Sequence, residues 1–176
     1  WYDCFVYASS AIYFADSFFP GGTPTTRLMN TAGIFAVGFL MRPVGGWVLG
    51  RAADRHGRKS ALTLTVTMMS VAALLIAVAP TYDRAGYLGA VVLLLARLLQ
   101  GMSIGGEYAA SATFLTEASA RNRRGLGSSL QYVSMTCGQL LGLGILIGLQ
   151  HTLTTAELKS WGWRIPFVVG ALFALV

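Results

Sequence analysis

The stretch Gly50-Arg51-Ala52-Ala53-Asp54-Arg55-His56-Gly57-Arg58-Lys59 is a short run of charges between two long apolar segments, residues 31–50 and 60–79. Each of these segments is as long as the roughly 20 residues that a helix needs to cross the hydrocarbon core of a bilayer. The pattern therefore predicts two spanning helices joined by a charged loop. That loop must lie in water on one side of the membrane.

Four further apolar segments continue this pattern, and they are residues 1–19, 87–116, 125–150 and 165–176. Pro20-Gly21-Gly22 and Pro80 mark the ends of the first and third segments, as expected of residues that interrupt helices. The connections are short. The sequence therefore predicts an all-α membrane protein, a six-transmembrane-helix bundle in one domain over residues 1–176.

The composition excludes most other classes of protein. Hydrophobic residues make up 55% of the 176-residue chain and charged residues only 11%, against about 25% charged in a soluble domain. Cys4 and Cys137 lie inside apolar runs without metal-ligand spacing, so we interpret them as packing residues. His56 and His151 fall in loops on opposite sides, and no catalytic constellation or phosphate-binding loop occurs. We therefore expect neither an enzyme nor a metal site.

The basic residues predict the orientation. Seven lie in the connections after the second and fourth spans, at Arg51, Arg55, Arg58, Lys59, Arg121, Arg123 and Arg124. Four lie on the other side, at Arg27, Arg84, Lys159 and Arg164. Because basic loops stay in the cytoplasm, the first side and the N-terminus are predicted to be cytoplasmic. Trp161 and Trp163 then suit the outer aromatic belt. The net charge of +6 reflects topology and not nucleic-acid binding.

Four charged side chains lie deep within the apolar segments, at Asp3, Arg42, Arg97 and Glu107, whereas Asp16 marks the outer end of the first segment. A charge at the bilayer centre costs on the order of 2.5–3.5 kcal/mol, so such residues usually face a cavity and pair with each other. Asp3 and Arg97 fall at similar depths, roughly 20 and 15 Å from the outer helix ends. They could form a packing ion pair or a proton and substrate path. Arg42 could meet a substrate or bond carbonyls freed by Pro43, and we favour the second interpretation.

Polar residues follow one face of three spans. These faces carry Asp3, Tyr7 and Ser10; Arg97, Gln100, Gly101, Ile104 and Tyr108; and Tyr132, Thr136 and Gln139. Lipid would reject such faces, so they predict a shared, water-accessible cavity. The third face could instead make hydrogen bonds between helices. Small residues four apart, at Gly46/Gly50, Gly138/Gly142 and Gly144/Gly148, predict close helix packing.

The segment 50–59 resembles the signature loop of the major facilitator superfamily, which joins the second and third helices on the cytoplasmic side. Ala52 and Ser60 depart from the usual pattern. The resemblance implies that Asp54 begins the third helix, where the macrodipole favours a carboxylate. It also implies a conformational latch that favours the outward-open state. Its members are Gly50, Asp54, Arg55, Gly57, Arg58 and Lys59, with Glu117 and Arg123 after the fourth helix.

Four more stretches are similar to the metabolite:proton symporter branch of that superfamily, and within it to the alpha-ketoglutarate permeases. They are Trp1-Tyr2-Asp3, Phe39-Leu40-Met41-Arg42-Pro43-Val44-Gly45-Gly46-Trp47, Arg97-Leu98-Leu99-Gln100-Gly101 with Gly105-Gly106-Glu107, and Trp161-Gly162-Trp163-Arg164-Ile165-Pro166-Phe167. The resemblance implies a twelve-helix transporter that works by alternating access. Residues 1–176 would be its N-terminal half, truncated within the first and sixth helices. Its partners would be the lipid bilayer and the C-terminal half, with the complete protein a monomer in the bacterial inner membrane.

The implied function is proton-coupled import of a small organic acid, a dicarboxylate such as alpha-ketoglutarate, with the proton as coupling ion and no other cofactor. Asp3 and Arg97 would couple the proton. Substrate binding would use Arg97, Gln100, Tyr7, Tyr132, Gln139 and Arg42. The alternatives are a symporter of shikimate, citrate, proline or betaine, a membrane-embedded enzyme, and a six-helix structural protein.

Overall fold

The computed structural model describes residues 1–118 and 124–173, which are helical apart from short connections. The long helices are α1 (Tyr2–Phe18), α2 (Pro24–His56), α3 (Arg58–Val78), α5 (Leu88–Ala118) and α6 (Arg124–Thr152). The short ones are α4 (Tyr82–Ala85), α7 (Thr155–Ser160), a 3₁₀ turn (Gly162–Arg164) and α8 (Ile165–Phe173). The all-α class and the order of the six predicted apolar helices are confirmed.

Four of these helices are long and apolar enough to cross a membrane. The qualifying stretches are Pro24–His56, Arg58–Val78, Leu88–Tyr108 and Ser129–Thr152. Helix α1 has 17 residues and the described part of α8 has 9. The count of six spans therefore stays a prediction, although α1 and α8 occupy the places of the first and sixth predicted spans.

The charged segment 50–59 is not a loop. Helix α2 continues through it to His56 and α3 begins at Arg58. Gly57 alone separates the two helices, with a φ of 86° that glycine adopts without steric cost. Asp54 consequently lies in the last turn of α2, where the macrodipole disfavours a carboxylate. The expectation that Asp54 begins the third helix is therefore wrong.

Helices α2 and α5 pack backbone against backbone. A Cβ added at Gly101 would run into the Gly38 carbonyl, and one at Gly105 into the Arg42 carbonyl. Such close approach is how helices associate in lipid, where dispersion contacts replace the hydrophobic effect. We did not predict this contact, although Gly101 and Gly105 show the same four-residue spacing as the glycine pairs that we did predict.

The predicted glycine pairs differ in how closely they pack against other helices. Gly142 packs against Phe5 and Val6 of α1, as expected. In contrast, among the described residues no atom outside the glycine's own stretch of helix lies within 4 Å of a Cβ built at Gly50, Gly144 or Gly148. At those three positions the described helices therefore make no close packing contact, and the prediction stays a prediction.

An aromatic cluster fixes α1 against the end of the chain. Phe14 and Phe18 of α1 lie with their ring centroids 5.4 and 5.6 Å from the Trp163 ring, and Phe167 of α8 is fully buried beside them. Trp163 is only 1% exposed, so its assignment to an aromatic belt is wrong, whereas Trp161 is 48% exposed.

Ion pairs join the chain at the end of α1 that is remote from Asp3. Asp16 lies 3.1 Å from Arg27 of α2 through one carboxylate oxygen and 3.1 Å from Lys159 of α7 through the other. Arg27 also donates to the Pro20 carbonyl at 2.8 Å. We call Asp16, Arg27 and Lys159 the Asp16 cluster, and it ties the end of α1 to the start of α2 and to α7.

Candidate functional site

Three adjoining cavities of about 360, 470 and 480 Å³ lie between α5, α6 and the residues at the start of α1. All three touch Trp1, and each is lined by residues of α5 and α6. Their polar and aromatic lining includes Tyr2, Asp3, Arg42, Glu107, Tyr108, Gln131, Tyr132 and Ser134. The structure thus places polar residues from all three predicted faces around one region.

Arg97 is the most enclosed cation of this region, with 2% of its surface exposed. Its guanidinium carbon lies 3.4 Å from the Tyr7 ring centroid and 5.0 Å from that of Phe35. One terminal nitrogen donates to the Gln100 side-chain carbonyl, while Nε and the other terminal nitrogen have no hydrogen-bond partner among the described residues. The guanidinium of Arg97 is therefore packed against aromatic rings, and two of its nitrogen donors have no hydrogen-bond partner among the described residues.

Tyr7 and Gln100 complete the surroundings of Arg97. The Tyr7 hydroxyl donates to the Thr31 carbonyl of α2 at 3.2 Å, which fixes the ring that lies under the guanidinium. Gln100 is 1% exposed, and its side-chain NH₂ has no partner in the part of the chain that the structure describes. A small void of about 10 Å³ beside Gln100 and Arg97 has room for about one water molecule.

Asp3 is buried on the other side of the site, with 6% of its surface exposed. No ion pair joins it to Arg97, although both residues lie within the described ranges, and its Oδ1 has no hydrogen-bond partner there. A Cβ built at Gly170 of α8 would lie 2.7 Å from this oxygen. Asp3 therefore occupies a space that a glycine leaves open, and the possible contact ion pair is not formed.

Arg42 faces the cavities and not its own helix backbone. Its guanidinium carbon lies 3.6 Å from the Phe39 ring centroid and 5.4 Å from that of Trp1. One terminal nitrogen lies 3.6 Å from the Cys4 sulfur. Among the described contacts it makes no bond to a backbone carbonyl, and α2 is unbroken through Pro43. The structural role that we favoured for Arg42 is not what the structure shows.

The predicted polar face of α6 is only partly at the cavities. Tyr132 lines the cavity that Arg42 and Tyr108 also line, whereas Gln139 is exposed outside the cavities described above. The Thr136 hydroxyl bonds the Tyr132 carbonyl of its own helix at 3.0 Å. Gln131, absent from our prediction, does bridge helices, since its amide donates to the Ser111 hydroxyl at 3.1 Å.

The latch residues lie around the junction of α2 and α3. Asp54, Arg55 and Lys59 are exposed, and Gly57 forms the break itself. The helix α5 includes Glu117, whose side chain is outside the described residues, as is Arg123. The latch therefore stays a prediction. Within the described ranges, no group of three His, Cys, Asp or Glu side chains is arranged to hold a metal ion.

The family model described as sugar (and other) transporter matches residues 1–176, the whole chain. The chain therefore belongs to this family of the major facilitator superfamily, whose members are transporters and not enzymes. It is a multi-pass membrane protein.

Several relatives and one solved structure place the chain more closely. It is 52% identical over its full length to the alpha-ketoglutarate permease of Escherichia coli, covering 41% of that protein. It is 40% identical to a putative proline/betaine transporter of Staphylococcus haemolyticus and 34% identical to the proline/betaine transporter of Escherichia coli, covering 38% and 35% of them. The xylose transporter XylE of Escherichia coli, in a partially occluded inward-open conformation, superposes with a TM-score of 0.77 at 20% identity. That superposition covers 98% of this chain and 43% of XylE.

Proposed function

We propose that the chain is the N-terminal six-helix half of a twelve-helix, proton-coupled symporter that imports a small organic acid, a dicarboxylate such as alpha-ketoglutarate. The 52% identity to an alpha-ketoglutarate permease supports this substrate class. The chain spans about two-fifths of the length of the relatives that it matches, which supports its interpretation as one half. The complete transporter would act as a monomer in the bacterial inner membrane.

The observation that carries the proposal is the buried guanidinium of Arg97 with two open donors. A guanidinium presents its donors in a planar fork that matches the two oxygens of a carboxylate. A buried donor without a partner costs roughly 1–3 kcal/mol, so a ligand that satisfies both donors gains that free energy back on binding. Tyr7 and Gln100 would hold the fork in place, and Arg42 would meet the second carboxylate across the cavities.

We propose that Asp3 carries the coupled proton. Because Asp3 and Arg97 are not in contact, coupling would act through the electric field in the cavity, where attraction between charges is stronger than in water. A protonated Asp3 is neutral and no longer competes with the substrate carboxylate for the positive charge of Arg97. Proton and anion would thus bind together, and the proton is the only coupling ion that the proposal needs.

The transport cycle would be alternating access, with the two halves rocking around a central site between them. Residues around the α2–α3 junction, with Glu117 and Arg123, would form the latch on the cytoplasmic side. The excess of basic residues at that junction supports a cytoplasmic N-terminus.

A second candidate substrate is a zwitterion such as proline or betaine. The 40% identity to a putative proline/betaine transporter favours it. A zwitterion would use the same Arg97 fork for its carboxylate, but its cationic group needs an acidic or aromatic partner. Trp1, Tyr108 and Tyr132 line one cavity together and could supply aromatic faces to a cation.

Reconstitution of the full-length protein in proteoliposomes would test the proposal. Uptake of labelled alpha-ketoglutarate is measured with and without an inward pH gradient, in competition with succinate, citrate, shikimate, proline and betaine. We expect the gradient to drive accumulation, a protonophore to abolish it, and dicarboxylates to compete best. Competition by proline and betaine alone would favour the second candidate. Accumulation that ignores the pH gradient would contradict the proton coupling.

A further inference from the structure

Glu107 is a charged residue of α5 to which the proposed function gives no role. It lies ten residues after Arg97, roughly 15 Å further along the helix axis. It lines the cavities of about 360 and 480 Å³. In the described ranges no hydrogen bond or ion pair engages its carboxylate. A carboxylate at this position of an apolar span is expensive, which makes a functional role the default hypothesis.

The larger of these two cavities is also lined by Asp3. Asp3 is 6% exposed, and its Oδ1 has no partner among the described residues. One cavity therefore connects a buried, unpartnered carboxylate on α1 with a partly exposed one on α5. The Ser134 hydroxyl lies on the wall between α5 and α6, and the volume of about 480 Å³ is large enough for several water molecules.

Titratable groups of several elements line the same cavities as Glu107. In the cavity of about 480 Å³, α1 contributes Tyr2 and Asp3, and α6 contributes Cys137. Tyr108 of α5 lines the cavity of about 360 Å³ together with Glu107. The walls from α3 and α8, at Val66, Met69, Gly170 and Phe173, carry no titratable group. Arg42 and Arg97 line a void that shares Ile104 with this region. Among the described lining residues, Asp3 is thus the other carboxylic acid that shares a cavity with Glu107.

We infer that Glu107 is a second proton-binding carboxyl, which receives the proton from Asp3 through water in their common cavity and releases it to the cytoplasm. The inference rests on the proposed function and its orientation, in which Glu107 lies nearer the cytoplasm than Arg97. In the step, the O–H bond of protonated Asp3 breaks and an O–H bond forms on the Glu107 carboxylate. Asp3 becomes the anion, Glu107 becomes neutral, and water then takes the proton from Glu107.

The test uses the full-length transporter in proteoliposomes with the variants Glu107→Gln and Glu107→Asp. Thr67→Ala is the control, because it removes an exposed hydroxyl that bonds the Thr63 carbonyl of its own helix at 2.8 Å and lines none of the cavities described above. Substrate counterflow at equal pH reports binding and alternating access, whereas accumulation under a pH gradient reports proton release as well. Both assays are run over a range of internal pH.

We expect Glu107→Gln to retain counterflow within about twofold and to lose proton-driven accumulation by roughly tenfold or more, since a positioned acid–base group typically contributes 10²–10⁴-fold to a proton transfer. Glu107→Asp keeps the carboxyl and should restore accumulation with a shifted pH profile. Thr67→Ala should behave as the wild type.

Wild-type accumulation by Glu107→Gln, with an unchanged pH profile, would overturn the inference. Equal losses of counterflow and accumulation in both Glu107 variants would overturn it too, because a packing or substrate-binding role predicts that result. The proposed function is tested separately by Asp3→Asn. If that variant loses proton-driven accumulation while Glu107→Gln accumulates normally, the proposed function stands and the role of Glu107 is wrong. If Asp3→Asn accumulates normally, the proton coupling through Asp3 itself is wrong.

Discussion

The Asp16 cluster and the Asp3–Arg97 region each contain a carboxylate and at least one basic side chain. In the first these groups form ion pairs, and in the second they do not. Both carboxylate oxygens of Asp16 are paired at 3.1 Å, and its side chain is 40% exposed. Asp3 and Arg97 are 6% and 2% exposed, yet no ion pair joins them and several of their polar atoms lack partners. The Asp16 carboxylate is thus paired through both oxygens, although Arg27 Nε beside it has no partner among the described residues, whereas Asp3 and Arg97 are buried without pairing to each other.

Under the proposed function, this difference separates groups that hold the fold from groups that are kept for a ligand. Buried charges are normally paired because an unpartnered one costs several kcal/mol. A fold that leaves two Arg97 donors unpaired carries that cost in the empty state, and a carboxylate substrate at Arg97 would remove it. The exposed ion pairs of the Asp16 cluster gain little individually, so their effect is to keep α1, α2 and α7 together.

Replacement of Arg97 should have the largest effect, because it removes the guanidinium and its two unpaired donors. We expect Arg97→Gln in the full-length transporter to weaken substrate binding by roughly 10- to 150-fold, the equivalent of about 1.5–3 kcal/mol for hydrogen bonds to a charged group. Arg97→Lys keeps the charge without the fork and should recover only part of this loss. Equilibrium binding of labelled substrate gives the measurement. Wild-type affinity in Arg97→Gln would show that Arg97 does not bind the substrate.

The next largest effect should come from the α2–α5 contact, which positions Arg97. A Cβ at Gly105 would run into the Arg42 carbonyl, so Gly105→Ala should destabilise the protein by about 1–3 kcal/mol through overpacking. Gly148→Ala is the matched control, because no heavy atom lies within 4 Å of its Cβ position. The control should be neutral or slightly stabilising, since alanine favours helix. Equal unfolding temperatures for the two variants would contradict the described contact.

A smaller effect is expected at the Asp16 cluster. Lys159→Ala removes one of the two partners of Asp16 and should cost about 0.2–1 kcal/mol, because both side chains are 40–47% exposed. The loss should shrink further in high salt, which screens exposed charges. Thermal unfolding at low and high salt measures both effects. A loss above about 3 kcal/mol would place this cluster among the buried pairs instead.

The smallest effect concerns the start of α7. Thr154 and Glu157 form a capping box, and the bonds from Thr154 hold the pKa of the Glu157 carboxyl below its usual range. The contribution of the ionised Glu157 carboxylate to the free energy of unfolding is therefore present above its unfolded pKa of about 4.3. It is lost as the pH falls through the lower pKa of the folded state. Glu157→Gln should remove this pH dependence. A titration of Glu157 by NMR that gave an ordinary pKa would contradict the capping geometry.

The sequence was most informative about the long apolar helices. Six apolar segments predicted the helices in the right order, because length and hydrophobicity directly reflect the lipid environment. The α2–α3 junction was less predictable. The charges of residues 50–59 suggested a loop, but Gly57 alone suffices as a break, so charge content does not locate a helix end.

The site was predictable in composition but not in contacts. Asp3, Arg97 and Gln100 stood out as polar residues in apolar spans, and the structure buries all three. Their partners depend on helix rotation, which the sequence constrains only weakly. Hence the aromatic support of Arg97 by Tyr7, the position of Arg42 beside Phe39 and the space that Gly170 leaves for Asp3 emerge only from the packed helices.

The most direct test compares the two aspartates of α1 in the full-length transporter. Asp3→Asn and Asp16→Asn are each measured for substrate counterflow and for accumulation driven by a pH gradient. Asp3→Asn should retain counterflow and lose accumulation, because the proton site is gone while the Arg97 fork remains. Asp16→Asn should retain both, because its carboxylate only joins connections. Wild-type accumulation by Asp3→Asn, or an equal loss of accumulation in both variants, would contradict the division between open and paired charges.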